Sequence, residues 1–247
     1  EKNRVINGIT DWVYEEEFAF VKAFEWNINS DRIAFIRFDE SDVPEFSMDV
    51  YGKDLYQTQN VFKYPKAGEK NANVSLHFYD INSDQTSIVS LPKTYIDFYI
   101  PRIKWTNDAD LLSVQYLNRH QNQLDLWLIN PVKVQANLVL SETDLAYVDV
   151  TDNLTFLQDN SFLWTSEKDG YNQLYKFERS KHLSLSITKG NVDIETIHAF
   201  DEQRNVVYYT EATSTIQRKL MAVNILTNKT NCLTPESGTH AIQWLEG

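Results

Sequence analysis

Ile103-Lys104-Trp105-Thr106-Asn107-Asp108-Ala109-Asp110-Leu111-Leu112-Ser113-Val114-Gln115-Tyr116 reads as a strand, a polar turn and a second strand. Aromatic and β-branched residues fill the two arms, and Asn and Asp fill the turn between them. The same phrase recurs along the chain. It appears as Phe24-Glu25-Trp26 through Ile33-Ala34-Phe35-Ile36-Arg37-Phe38, as Leu154-Thr155-Phe156-Leu157 through Asn160 to Phe162-Leu163-Trp164-Thr165, and as Ile197-His198-Ala199-Phe200 through Val206-Val207-Tyr208-Tyr209-Thr210. The third copy continues across Asp169-Gly170, a hairpin turn signal, into Leu174-Tyr175-Lys176-Phe177. Ala241-Ile242-Gln243-Trp244 resembles the opening of a fifth. From Trp105 onward the copies are spaced by roughly 40 to 50 residues, the period of four-stranded propeller blades. Long stripes of 3.6-residue period are missing. The expected fold is therefore all-β, a partial β-propeller, with Trp26, Trp105 and Phe200 at comparable inner-strand positions.

The predicted blades are residues 21–92, 100–141, 153–190 and 195–235, with the start of a next blade at 240–247. The first interval is longer because a Tyr-rich, charged insertion lies at 40–70, between strands of one blade, and ordered loops of that length more often serve function than packing. A few blades of a longer ring leave open strand edges and faces, so self-association is expected of such a segment.

The 247 residues are 42% apolar, enough for a substantial core. With 35 acidic against 23 basic residues the net charge is −12, which excludes nucleic acid as a partner class and favours cationic or amine-bearing ones. Cys232 is the single cysteine, so neither an intrachain disulfide nor a cysteine zinc site is available. No stretch approaches the ~18 to 20 apolar residues of a membrane span. The sequence opens at Glu1 without Met and reads as an excised segment of a longer protein.

The chemistry-bearing motifs are mostly negative. Gly-x-Ser-x-Gly, a glycine-rich phosphate loop and His-Glu-x-x-His are absent. His77, His120, His182, His198 and His240 are scattered through different repeats, without a second His or Cys at ligand spacing, and read as surface or packing residues. Asp149, Asp152 and Asp159 lack the calcium-loop pattern and read as solvated turns. Asn73-Val74-Ser75, Asn153-Leu154-Thr155 and Asn228-Lys229-Thr230 are sequons by pattern only. No metal and no cofactor is implied.

One run stands apart: Asp11-Trp12-Val13-Tyr14-Glu15-Glu16-Glu17 sets adjacent carboxylates beside aromatics. Adjacent carboxylates repel, so they are held together either in a solvated acidic turn or around a cation such as a substrate ammonium. Preceded by Asn7-Gly8-Ile9-Thr10 and followed by Tyr64-Pro65-Lys66-Ala67-Gly68, this run closely resembles the β-propeller region of the dipeptidyl peptidase IV family, serine peptidases of the prolyl oligopeptidase group. The resemblance implies an eight-bladed propeller joined to an α/β-hydrolase domain that releases X-Pro or X-Ala dipeptides from peptide N-termini. It implies further that Glu16 and Glu17 bind the substrate's free amine, that Glu15 does not, and that Tyr14 and Trp12 support the acidic segment.

By the same resemblance the partners are a peptide with a free N-terminus and the hydrolase domain of the same protein; a homodimer is an expectation of the open blade faces alone. The location is periplasmic, cell-surface or secreted, and the lone cysteine suggests a bacterial member. The chain itself carries no catalytic triad and is expected to be catalytically silent. Phe18-Ala19-Phe20 stands where relatives can carry a Ser, making the rim more apolar, and Tyr147-Val148-Asp149 loosely matches a stretch lining extended subsites in the family. Two alternatives stay open: a non-catalytic propeller for protein interaction, and the propeller of a tripeptidyl or oligopeptide-cleaving relative.

Overall fold

The computed structural model describes residues 4–90, 95–133, 135–159, 161–179 and 183–245; Asn160 and His182 lie outside the described residues. The chain divides into two compact units, 1–150 and 151–247. Unit 1 opens with β1 (Val5–Asn7), the helix α1 (Trp12–Phe18), β2 (Phe24–Trp26), β3 (Arg32–Asp39), β4 (Glu45–Val50), β5 (Thr58–Lys63), β6 (Asn73–Asp80) and β7 (Gln85–Ile88). It continues with β8 (Phe98–Trp105), β9 (Leu112–Asn118), β10 (Gln123–Asn130) and β11 (Gln135–Thr143). Unit 2 holds β12 (Thr155–Phe156), β13 (Phe162–Ser166), β14 (Gln173–Glu178) and β15 (Leu183–Ser186), then β16 (Asp193–Asp201), β17 (Val206–Ser214), β18 (Gln217–Asn224) and β19 (Lys229–Cys232). Each of the last three groups is an antiparallel sheet whose strands pair in sequence order, the up-and-down meander of a propeller blade.

The first sheet departs from that plan in a way that positions the acidic run. β1 pairs with the end of β3 (Val5 opposite Asp39, Asn7 opposite Arg37), and β2 pairs with its beginning (Phe24 opposite Phe35, Trp26 opposite Ile33). The ladder is continuous between them, because Gly8 N–H donates to the Ile36 carbonyl (3.0 Å) and Ile36 N–H donates to the Ala23 carbonyl (2.9 Å). A single edge strand of the sheet has thus been opened between Gly8 and Ala23, and residues 9–22, with α1, are extruded from it. The neck is closed by Ala23 N–H to Gly8 O (3.0 Å) and Thr10 N–H to Val21 O (3.1 Å). Gly8 turns the chain out of the strand at φ +72°, a conformation a Cβ disfavours. The first sheet consequently begins at Val5 rather than at residue 21.

Alternation along the strands builds the core. Ala34, Ile36 and Phe38 of β3 and Leu76 and Phe78 of β6 are buried on one face, with Ile36 opposite Leu76 and Ala34 opposite Phe78. Burial of each large apolar side chain contributes about 1.5 to 3 kcal/mol. In β9, Leu112 through Leu117 are buried on both faces, as expected for a central strand covered on either side. In unit 2, Leu163 and Leu174 of one sheet and Ile194, Val207, Tyr209 and Val223 of the next form one apolar cluster.

Trp26, Trp105 and Phe200 share a register: their partners across the first hairpin, Ile33, Leu112 and Val207, each lie seven positions on. Their surroundings differ. Trp105 is buried with its Nε1 donating to Glu25 O (2.9 Å), whereas Trp26 is 46% exposed. Asparagines pin successive sheets. Asn27 Nδ2 donates to Ala109 O (3.2 Å) in unit 1, and in unit 2 Asn153 Nδ2 donates to Glu195 O (3.1 Å) while its Oδ1 accepts from Ile197 N–H (2.8 Å).

Within the 40–70 segment, β4 and β5 form their own two-stranded hairpin, Glu45 opposite Lys63 through Val50 opposite Thr58, between β3 and β6 in sequence. Ala241–Trp244 form no ladder; one parallel bridge at Arg218 and Thr239 precedes them, and the Trp244 ring tilts against Tyr208 at 4.8 Å. No helix among the described residues is long and apolar enough to cross a membrane.

Candidate functional site

The extruded helix α1 is the candidate site, and its sequence explains both its ends. Asp11 is the N-cap: its Oδ1 accepts from Tyr14 N–H (3.0 Å), satisfying a donor that the first helical turn leaves unpaired. Burial pushes the Asp11 carboxyl up to about 6, against the lowering effect of that hydrogen bond. The helix stops at Ala19, which takes the left-handed conformation (φ 54°, ψ 40°) usually given to glycine. Thr10 Oγ1 donates to Phe20 O (3.0 Å) and ties the two ends together.

At about 100° per residue, Tyr14 and Phe18 fall on one face. Both are buried, with ring centroids 5.1 Å apart in an edge-on contact. Tyr14 also meets Phe38 of β3 (4.8 Å) and Tyr99 of β8 (5.9 Å) edge-on. Its phenol oxygen accepts from Ile100 N–H (2.8 Å). That donor lies where the register of β8 against β9 shifts between Tyr99 and Arg102, a bulge around Pro101. Trp12 tilts against Tyr64, the first residue of Tyr64-Pro65-Lys66-Ala67-Gly68, at 4.2 Å.

With Val13, Tyr14 and Phe18 turned inward, Glu15, Glu16 and Glu17 are left exposed. Burial does not separate Glu15 from the other two; position on the helix does. Glu15 stands in the first turn, where the helix dipole favours a negative charge, while Glu16 and Glu17 fall toward the C-terminal end, where no basic residue offsets them. Neither has a cationic partner among the described residues. Glu17 is electrostatically coupled to two tyrosines. Tyr99 is pushed up mainly by burial, with Asp97 and Glu17 adding to the rise and Arg119 and Asn71 opposing it. Half-exposed Tyr147 is pushed up by burial, then by Asp149 and Glu17. Arg102 stacks over the Phe20 ring at 5.1 Å.

The remaining sequence candidates are placed elsewhere. His77 stacks on Phe35 (5.4 Å) and shares a hydrogen bond with Ser75 Oγ (2.9 Å), and burial pushes its imidazole down. His198 Nε2 shares one with Thr210 Oγ1 (2.6 Å). His240 faces the Glu236 carbonyl at 3.2 Å. Among the described residues no group of three His, Cys, Asp or Glu could hold a metal ion.

A sequence profile of the Dipeptidyl peptidase IV (DPP IV) N-terminal region matches residues 1–245. The chain belongs to this family. The N-terminal region superposes on the crystal structure of Porphyromonas gingivalis dipeptidyl peptidase 4 with a TM-score of 0.89 and 39% identity, over 96% of this chain and 34% of that one. It is 30% identical over 223 residues to dipeptidyl aminopeptidase B of Saccharomyces cerevisiae, covering 83% of this chain and 27% of the relative. The sheets of this N-terminal region are blades of a β-propeller. The chain spans about three tenths of the length of the curated relatives it matches.

Several residues of the site escaped the sequence reading. Asp11 carried a usable signal, a capping residue directly before an aromatic and acidic turn. Tyr99, Asn71 and Ile100 carried none, since they reach α1 only through the packing of β8 and the loop before β6.

Proposed function

We propose that this chain is the substrate-gating, amine-recognising propeller region of a serine-type dipeptidyl peptidase that releases X-Pro or X-Ala dipeptides. Glu16 and Glu17 take the ammonium of the peptide's free N-terminus, and the hydrolase domain of the same protein supplies the nucleophile and its base. The observation that carries this reading is the extrusion of α1 from an edge strand, with Tyr14 anchored beneath it and two carboxylates left exposed at the dipole-unfavourable end. Two exposed carboxylates that do not serve the helix and have no cation of their own are free to take a cationic ligand.

The mechanism is a ruler. Carboxylates at a fixed distance from a nucleophile reward only a peptide whose charged end lies two residues from the scissile bond, so binding energy is converted into cleavage register. Each charge-assisted hydrogen bond to the ammonium is worth roughly 1.5 to 3 kcal/mol, or about 10- to 150-fold in specificity.

The test uses the full-length protein and a glycyl-prolyl chromogenic substrate. Glu16→Gln and Glu17→Gln should each lower kcat/KM for the free-amine peptide at least tenfold, and Glu15→Gln should change it less than about twofold. The N-acetylated substrate should be poor and indifferent to all three. Because the two glutamates oppose the helix dipole, both glutamine variants should keep or slightly raise thermal stability, by up to about 1 kcal/mol. Equal damage from Glu15→Gln, or equal cleavage of acetylated and free peptides, would end the ruler reading.

A further inference from the structure

We infer that Tyr99 is a positioning residue of the amine site: wedged against Phe18 and Tyr14 and held by Asn71, it fixes the pose of the helix that carries Glu16 and Glu17. The inference rests on the function proposed above and adds the group that sets the site's geometry.

Three observations converge on Tyr99. Its ring is 8% exposed and meets Phe18 at 5.1 Å and Tyr14 at 5.9 Å, both edge-on, so it packs against the inward face of α1. Its phenol oxygen accepts from Asn71 Nδ2 at 2.8 Å. It also opens the bulge of β8, and the next residue, Ile100, donates its N–H to Tyr14 (2.8 Å). Tyr99 and Ile100 together make a two-point socket: one residue supports the apolar face of the helix, and the other gives a hydrogen bond to the anchoring tyrosine.

The socket is tied to a second part of the fold. Asn71 follows the Tyr64–Gly68 loop, whose Tyr64 packs on Trp12 at 4.2 Å. Arg119 Nη2 donates to the Glu69 carbonyl at 2.5 Å, and its Nη1 lies 3.3 Å from Asp97. The loop therefore touches α1 directly through Tyr64 and indirectly through Asn71 and Tyr99. Tyr99 thereby couples the loop before β6 to the face of α1 opposite Glu16 and Glu17. Phenylalanine would keep the wedge and lose the bond from Asn71.

The experiment again uses the full-length protein with the glycyl-prolyl substrate, read as separate KM and kcat values. Loss of one net hydrogen bond corresponds to about a 2- to 10-fold change. Tyr99→Phe should raise KM by about that factor with kcat within about twofold, and Asn71→Ala should do the same. Because they remove one bond from its two ends, the double variant should be no worse than either single one. In a Glu17→Gln background Tyr99→Phe should have little further effect. Tyr99→Leu, which also loses the wedge, should be more damaging than Tyr99→Phe.

Additive losses in the Tyr99 and Asn71 double variant, or an undiminished Tyr99→Phe effect in the Glu17→Gln background, would overturn the assignment and leave Tyr99 as packing alone. If Glu17→Gln itself leaves KM unchanged, the amine-site reading fails instead, a distinct result. Calorimetric Kd values for a non-cleavable free-amine dipeptide amide should show the same order, so a preparation without turnover decides the question as well.

Discussion

Replacing Asp11 with asparagine separates the two roles that one carboxylate plays at the start of α1. The Asp11 side chain caps the helix by accepting from Tyr14 N–H at 3.0 Å, and burial raises its pKa from 3.8 to about 6. A folded-state pKa above the unfolded value means that the protonated form is favoured by folding. The associated stability is fully present below pH about 4 and is lost as pH rises through about 6. About two pKa steps at 1.36 kcal/mol each bound the loss at roughly 3 kcal/mol. Asparagine caps as well as aspartate and carries no charge to bury. Asp11→Asn should therefore match the parent at pH 4 and exceed it at pH 8 by up to about 3 kcal/mol, a shift of about 1 M in a urea midpoint. Asp11→Ala loses the cap and should fall below Asp11→Asn by about 1 kcal/mol at both pH values. Urea melts of the three proteins, paired at each pH so that other titrations cancel, measure this directly. An Asp11→Asn protein less stable than the parent at pH 8 would refute the reasoning, since it would require the buried carboxylate to be ionised and well paired.

Asn153→Ala should cost about 2 to 3 kcal/mol in the melting of unit 2, because it strands both the Glu195 carbonyl and the Ile197 N–H, which Asn153 joins at 3.1 and 2.8 Å. Glycosylation of the same residue in a secretory host should be undetectable by mass spectrometry, as its side chain is buried and bonded. Gly8→Ala should lower stability by about 1 to 2 kcal/mol in thermal denaturation, since alanine would have to adopt φ +72° there. On the proposed division of labour, in which another part of the protein supplies the nucleophile and general base, the 247-residue chain by itself should not hydrolyse the glycyl-prolyl substrate; turnover that survives a contaminant control would contradict the proposal.

The strand rhythm was legible in the residues because it is local. Alternating apolar positions and Asn- or Asp-rich turns state where a hairpin begins and ends, and repeating them places Trp26, Trp105 and Phe200 in one register. The acidic run was legible as chemistry for a similar reason, since three adjacent carboxylates next to aromatics need no partner to be noticed. The sequence did not determine that the run sits on a helix pushed out of a strand, because that follows from Ile36 bonding to Gly8 on one side and to Ala23 on the other. Nor could it predict the socket beneath that helix. The Tyr14 and Ile100 bond joins residues 86 positions apart, and such a bond exists only after the second sheet has packed beside the first and bulged at Pro101. Periodicity constrains which face of a strand is buried, whereas the partner found there depends on how separate sheets meet, and that was decided by tertiary packing alone.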